Sequence, residues 1–303
     1  MRTEFDGHVR ILLQQTDQLI LKILNAAAQR PNDPDGAVRL FNGFYEGFPE
    51  LSADRYADTI VLHSFVKNEL PETLIGGLLS AFRSFTGIRN ILLKKHFAEN
   101  PEARSGVYLH GGHSANRIRE FGVEYPIDLT LNRDCSFYLD AAHLRETLIQ
   151  SSAGKTVLNT FAYTGSLGLA SLAGNARCVV QTDRNPAFLR LADDEVRQQG
   201  IPSKRYQSIA ADFFALMTRL RKEERLFDTV ILDPPFFSKT ARGRVDQQSG
   251  FLALINKIRP LVADGGTLIT VNNALYLSGM DFIDKLASEL PRDYISLGEP
   301  IPV

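Results

Sequence analysis

The sequence predicts a two-part α/β protein, a small mixed unit followed by a larger domain whose mostly parallel sheet is wound by helices. Three observations lead there. The chain has 303 residues, about twice a typical single-domain length. After Gly154 short apolar runs alternate with helical stretches of roughly 10 to 15 residues, the rhythm of βαβ units. Successive runs end in turn or acidic residues, at Gly165, Asp183, Asp212 and Asp233.

Composition narrows the class. Hydrophobic content of 44%, charged content of 23% and a formal net charge of −1 are ordinary globular values. They exclude a disordered chain and a uniformly basic nucleic-acid binder, but not a local basic patch. The two cysteines, Cys135 and Cys178, have neither metal-ligand spacing nor the density of a disulfide framework. His110 and His113 bracket Gly111-Gly112 without carboxylate or cysteine partners, so no metal is expected. No stretch reaches the ~18 apolar residues of a membrane span, and no signal-peptide pattern opens the chain. The expectation is a soluble cytoplasmic protein without membrane contact; a homodimer is left open.

Taken in order, Phe5–Ala28 carries apolar residues at helical spacing and stops at the breaker cluster Arg30–Gly36. After Ala37–Phe41, strands Leu51–Tyr56 and Thr59–Phe65 flank Ala57-Asp58 as a hairpin turn. A helix over Leu74–Phe85 and a strand over Ile88–Leu93 lead to Lys94-Lys95-His96. The polar, Gly-rich stretch Asn100–Asn116 marks the boundary, giving an N-terminal helix over 1–36, a small α/β subdomain over 37–115 and the larger domain over 116–303. Alternation returns over Val123–Leu131, and a helix spans Ala141–Gln150. Strands follow at Thr156–Thr160, Cys178–Thr182, Tyr206–Ala210, Thr229–Leu232 and Thr267–Val271, with a last one at Tyr294–Leu297. Between them lie helices ending at Ala173 and over Pro186–Gln199, Phe213–Lys222, Phe251–Val262 and Met280–Leu290.

In an open parallel sheet, ligands bind beyond the carboxyl ends of the strands. The first strand of the larger domain runs into Phe161-Ala162-Tyr163-Thr164-Gly165-Ser166, where Gly165 permits a tight turn before a helix with free N–H groups. The dinucleotide fingerprint is incomplete, which disfavours a pyrophosphate cofactor. Asp183 lies 18 residues beyond Gly165, close to the spacing of about 20 that suits ribose hydroxyls. Asp212 can meet an adenine amino group beside Phe213. Both aspartates would also serve as helix N-caps.

Together, Asn159–Gly168, Asp183, Asp212 and Asp233–Ser238 resemble a class I S-adenosylmethionine methyltransferase, and more narrowly the large-subunit ribosomal RNA methyltransferases of RlmI and RlmK type. Ser136-Phe137-Tyr138-Leu139-Asp140 is similar to that family's cofactor-bordering segment, and Arg145 falls on a family arginine. Arg39–Tyr56 resembles the small subdomain preceding the catalytic one. The resemblance implies a Rossmann-like domain with a seven-stranded sheet and S-adenosyl-L-methionine as cofactor. It implies cofactor contacts from Tyr138, Asp140, Arg145, Phe161, Tyr163, Thr164, Gly165, Ser166, Asp183, Arg184, Asp212, Phe213 and Asp233. Two departures stand out: the family's N-terminal RNA-binding PUA domain is replaced by a helix, and Ala141-Ala142 stand where polar residues are usual.

The fourth strand runs into Asp233-Pro234-Pro235-Phe236. Successive prolines hold an extended backbone. Asp233 and the Pro234 carbonyl can accept hydrogen bonds from an N–H₂ group, while Phe236 offers a stacking face. Methyl transfer needs alignment more than acid or base power, so a positioning motif suffices. Carbon-5 methylation of a pyrimidine needs a cysteine nucleophile; after the fifth strand the chain reads Asn272-Asn273-Ala274 instead. That pair resembles the asparagines of the guanine-N7 branch, and also suits a plain polar strand end. Phe237, Lys239, Arg242 and Arg244 follow the motif and suit RNA bases and phosphates, or simply a solvated face. The expected function is therefore methylation of a base nitrogen in RNA, ribosomal RNA first. The alternatives are an N-methyltransferase for a small metabolite or protein amide, and a non-catalytic cofactor-binding assembly factor.

Overall fold

A computed structural model describes residues 16–31, 33–67, 69–240, 243–246, 250–273 and 277–290. The chain divides into two compact units, Met1–Leu139 and Asp140–Val303. The division falls later than the composition shift at Asn100–Asn116, because the first unit also contains a hairpin of β6 (Arg117–Glu120) and β7 (Val123–Pro126).

The first unit is built on a five-stranded sheet in sequence order: β1 (Ala37–Phe41), β2 (Leu51–Tyr56), β3 (Thr59–Ser64), β4 (Asn90–Lys95) and β5 (Val107–His110). All neighbours pair antiparallel except β3 and β4, whose crossover is helix α2 (Glu72–Arg83). The short α3 (Pro101–Ser105) and β5 occupy the stretch expected to be a boundary loop. Side chains alternate across the strands. One face, with Leu51, Ala53, Ile60, Leu62, Ile91 and Leu93, packs on Leu74, Leu78 and Phe82 of α2 and on Ile23 and Ala27 of α1 (16–28). The expected helix up to Phe5 otherwise lies outside the described residues.

The opposite face buries polar groups. Asp54 accepts two hydrogen bonds from Arg39, at 2.8 and 3.0 Å, and lies 3.2 Å from His63 Nε2. His63 Nδ1 lies 3.0 Å from His96 Nε2. Lys94 is fully buried, and its ammonium donates to the carbonyls of Ser105, Asn132 and Asp134. It is not the surface cation its neighbours in sequence suggest. Burial alone would lower the His63 pKa, but its bonds to Asp54 and Cys135 prevail and push it up to about 9. Burial also works to raise Asp54, yet His63 and Arg39 hold it below the usual carboxylate range.

The second unit is a doubly wound α/β domain. Its five described parallel strands run in the order β10 (Tyr206–Ala210), β9 (Cys178–Asp183), β8 (Thr156–Thr160), β11 (Phe227–Leu232), β14 (Val262–Thr270). The other strand expected at Tyr294–Leu297 lies outside the described residues. Helices α7 (Phe213–Lys222), α8 (Phe251–Ile258) and α9 (Gly279–Glu289) cover one face through Leu216, Leu220, Leu254, Ile258 and Phe282, against Leu158, Val180, Val230 and Leu232. Helices α5 (Ser166–Ala173) and α6 (Pro186–Gln198) pack against β8, β9 and β10, and α4 (Ala142–Ser151) lies on α5.

Candidate active site

The strand order creates a switch point. From β8 the chain proceeds outward through β9 and β10, then returns to place β11 on the other side of β8. A crevice opens where two neighbouring strands send their connections to opposite faces. The tips of β8 and β11 meet in register, Thr160 opposite Leu232, with the Thr160 hydroxyl donating to the Ile231 carbonyl at 2.7 Å. The segments leaving this point are the Phe161–Gly165 turn and Asp233–Phe236.

The turn is held in a demanding backbone conformation. Phe161, Tyr163 and Gly165 have φ of 55°, 51° and 85°, and non-glycine residues in this region persist only where their surroundings enforce it. Gly165 is the N-cap of α5, and a Cβ there would sit 2.6 Å from the Gln181 amide and from Ala192. At Gly168 a Cβ would meet Gln181 at 2.3 Å. Gln181 is fixed by a buried chain: Asn159 donates to Gln181 at 2.9 Å, Gln181 to the Tyr206 hydroxyl at 3.2 Å, and Tyr206 to Asp193 at 2.7 Å. Sequence reasoning missed this network, because its four residues come from four elements, β8, β9, β10 and α6, with no motif spacing. Thr164 is buried and Ser166 half-buried at the first turn of α5.

Asp183 braces the turn. Its carboxylate accepts from the N–H of Tyr163 at 3.0 Å and of Asn185 at 2.8 Å, and burial raises its pKa against those bonds. The cap of α6 is Asn185, not Asp183. A carboxylate has about four acceptor sites, leaving capacity for hydroxyl donors. Arg184 beside it is exposed. Asp212 does cap α7, through Oδ1 and the Ala215 N–H at 3.1 Å. Its Oδ2 is buried without a hydrogen-bond partner among the described residues. Buried acceptors are rarely left so. Phe213 stacks on Phe161 with centroids 4.8 Å apart, so an orphaned acceptor stands next to an aromatic pair. That chemistry fits an adenine, with an amino donor and a flat face. Asp140 lies in the 3₁₀ turn Leu139–Ala141 and is exposed, and Arg145 is fully buried on α4. Tyr138 ends in the first unit, its hydroxyl donating to Asp134 at 3.2 Å.

At the β11 tip, Pro234 is buried, Asp233 and Phe236 are partly buried, and Pro235 is exposed. Burial and the nearby Asp140 carboxylate push the Asp233 pKa up to about 6, against a hydrogen bond from Asn273. Val271 N–H continues the β14 ladder to the Leu232 carbonyl at 3.0 Å, which brings Asn272 and Asn273 alongside. Asn272 donates to the Leu277 carbonyl at 2.9 Å. Asn273 donates to Asp233 at 2.7 Å and to the Pro234 carbonyl at 3.0 Å.

The segment after the motif forms a hairpin of β12 (Phe237–Thr240) and β13 (Gly243–Asp246). Lys239 and Arg244 are opposed across it, and Phe237 is about half exposed. Arg242 lies outside the described residues. Cys178 starts β9, at the end of the sheet away from the crevice. Cys135 is buried in the first unit, its Sγ 3.8 Å from His63. Among the described residues there is no helix long and apolar enough to cross a membrane, and no cluster of three or more ligating side chains that could hold a metal.

Comparison with known proteins agrees with this geometry. A ribosomal RNA large subunit methyltransferase I from Photobacterium profundum is 29% identical over 236 residues, covering 77% of this chain and 59% of that protein. The counterpart from Aliivibrio fischeri is 29% identical over 250 residues, 81% of this chain and 62% of its own length. The chain thus spans about three-fifths of the length of these relatives. A Streptococcus mutans protein described as a candidate SAM-dependent methyltransferase shares the fold at TM-score 0.77 and 21% identity, over 92% of this chain and 76% of that one. The SAM-dependent methyltransferase of Agrobacterium tumefaciens aligns at TM-score 0.58 and 15% identity, over 78% and 73% of the two chains. The sequence profile of one family matches residues 39–297, a span that takes in the Phe161–Gly165 turn, both strand-tip aspartates and the Asp233–Phe236 motif. By that match the chain belongs to the S-adenosylmethionine-dependent methyltransferases, with S-adenosylmethionine as cofactor.

Proposed function

We propose that this chain methylates a nitrogen of a base in RNA, with ribosomal RNA of the large subunit as the substrate class. The observation that carries the reading is the placement of Asp233-Pro234-Pro235-Phe236 at the switch point, next to the turn that would hold the cofactor. S-adenosylmethionine supplies the electrophilic methyl group; the chain supplies alignment. Asp183 would accept from ribose hydroxyls, Asp212 Oδ2 from the adenine amine, and the Phe161–Phe213 pair would flank the ring. Asp233 and the Pro234 carbonyl hold the acceptor nitrogen, and Phe236 offers a face for its ring. The printed names of the curated relatives support ribosomal RNA. The absence of a cysteine after β14 favours nitrogen over pyrimidine carbon 5.

Two measurements test this. Nucleoside mass spectrometry of large-subunit RNA from cells with and without the gene should show one methylated nucleoside lost on deletion; an unchanged profile rejects ribosomal RNA. Neutralising Lys239, Arg242 and Arg244 together should flatten the salt dependence of RNA binding by about two units of log–log slope, at ~0.7–0.9 per phosphate contact. Equal slopes for parent and variant would remove the hairpin from the RNA site and favour a small-molecule acceptor.

A further inference from the structure

Asn273 already occupies the acceptors assigned to the target. Its Nδ2 lies 2.7 Å from Asp233 Oδ1 and 3.0 Å from the Pro234 carbonyl oxygen. A carboxamide nitrogen is planar, conjugated and carries two hydrogens, and here both converging acceptors are satisfied by one such group. A ring nitrogen without hydrogens offers nothing to either acceptor, and a carbonyl oxygen would be repelled by both. The exocyclic amino groups of cytosine, adenine and guanine have the same planar, conjugated N–H₂ chemistry as the Asn273 amide.

We propose that Asn273 is an internal competitor that holds the place of the target's exocyclic amino group, so the substrate class is a base bearing such a group. The inference rests on the methyl-transfer reading of this crevice and narrows it from any base nitrogen to an exocyclic one. The surroundings permit the exchange. Asn273 is exposed, so its released amide is hydrated at once, and the incoming amine restores the two hydrogen bonds it leaves. The chain before it is held by the Val271 N–H bond to the Leu232 carbonyl and by the Asn272 side chain on the Leu277 carbonyl, so the exchange moves the Asn273 side chain. The competing account makes Asn273 a permanent brace that orients Asp233.

Steady-state kinetics separate the two. Asn273→Ala and Asn273→Ser are compared with the parent on large-subunit ribosomal RNA purified from cells lacking the gene. A competitor predicts KM lowered by ~3- to 10-fold, the loss of one or two modest hydrogen bonds, with kcat no lower than the parent's and a smaller effect for serine. A fall in kcat without a fall in KM makes Asn273 a brace and overturns the inference. So does a product methylated on a ring nitrogen or carbon in the digested RNA. If the parent transfers no methyl group to this RNA, the RNA reading fails by itself. The inference is then read from binding of cytidine, adenosine and uridine in the presence of S-adenosylhomocysteine. Tighter cytidine or adenosine binding by the variants, with uridine unchanged, supports it; equal binding by parent and variants overturns it.

Discussion

In the first unit, buried charges are closed on one another: Asp54 is held by Arg39 and His63, and Lys94 by three backbone carbonyls. In the second, the strand-tip carboxylates have spare capacity. Asp212 keeps an orphaned oxygen, and Asp233 has its pKa raised by burial and by Asp140. The contrast separates two uses of a buried polar group. Pairing that lowers the Asp54 pKa stabilises the folded first unit. A carboxylate whose pKa is raised is held at a cost to stability, a frequent mark of a site that awaits a ligand. The two arrangements predict opposite responses to mutation and pH.

The largest expected effect is on the closed network. Asp54→Ala leaves the His63 and Arg39 charges without their carboxylate, and should destabilise the first unit by ~3–5 kcal/mol in chemical denaturation. A loss within 1 kcal/mol, the usual scale of an exposed pair, would mean that the network is solvated and the contrast false. Next comes Asp233→Ala, which should lower turnover on the order of 10²-fold while leaving cofactor affinity near the parental value, since its partner is the acceptor. A variant with parental turnover would make the motif purely structural. Asp183→Ala should weaken S-adenosylmethionine binding by ~1.5–3 kcal/mol in calorimetry, the range for charge-assisted hydrogen bonds. Unchanged affinity in a folded variant would confine Asp183 to bracing the turn.

The pH responses are smaller and run apart. His63 has its folded pKa raised to about 9, so its contribution to stability is complete below its unfolded value of 6.5 and is lost as pH rises through about 9. Thermal denaturation of the parent should weaken over that window, and a His63→Gln variant should lose the dependence. Asp233 is a carboxylate with a raised pKa, so its ionisation destabilises the fold between about pH 4 and 6, whereas turnover needs the ionised form. Activity should therefore fall as pH drops through about 6. Asn273→Ala removes the bond that lowers this pKa and should move the acid limb upward. A pH–rate profile with an acid limb near pH 4 in both proteins would put Asp233 in water rather than in a buried crevice.

Much of the second unit was legible because its signals are local. Period-2 and helical patterning gave β8, β9, β10 and β11 with α5, α6 and α7 to within a residue or two, and acidic or glycine punctuation marked the strand tips; α8 ends at Ile258, four residues before the expected Val262, where β14 begins. The β12–β13 hairpin has no such local signal, because Lys239–Arg244 carries no alternation of apolar residues. Asp212 illustrates the limit: sequence offered helix cap or ligand contact, and the structure shows a cap by one oxygen with the other left over.

By itself the sequence determined the βαβ rhythm, the glycine turn and the rigid Asp233–Phe236 segment, since these depend on residues adjacent in the chain. Only the tertiary structure decided which tips are neighbours. Strand order placed Thr160 beside Leu232 and drew Asn273 onto Asp233, forty residues away in sequence. It likewise turned Lys94 inward and joined Asp54 to His63, contacts that follow from pairing of β2, β3 and β4. Long-range pairing selects these partners through burial, and desolvation then sets whether each charge must be paired or can be held ready for a ligand.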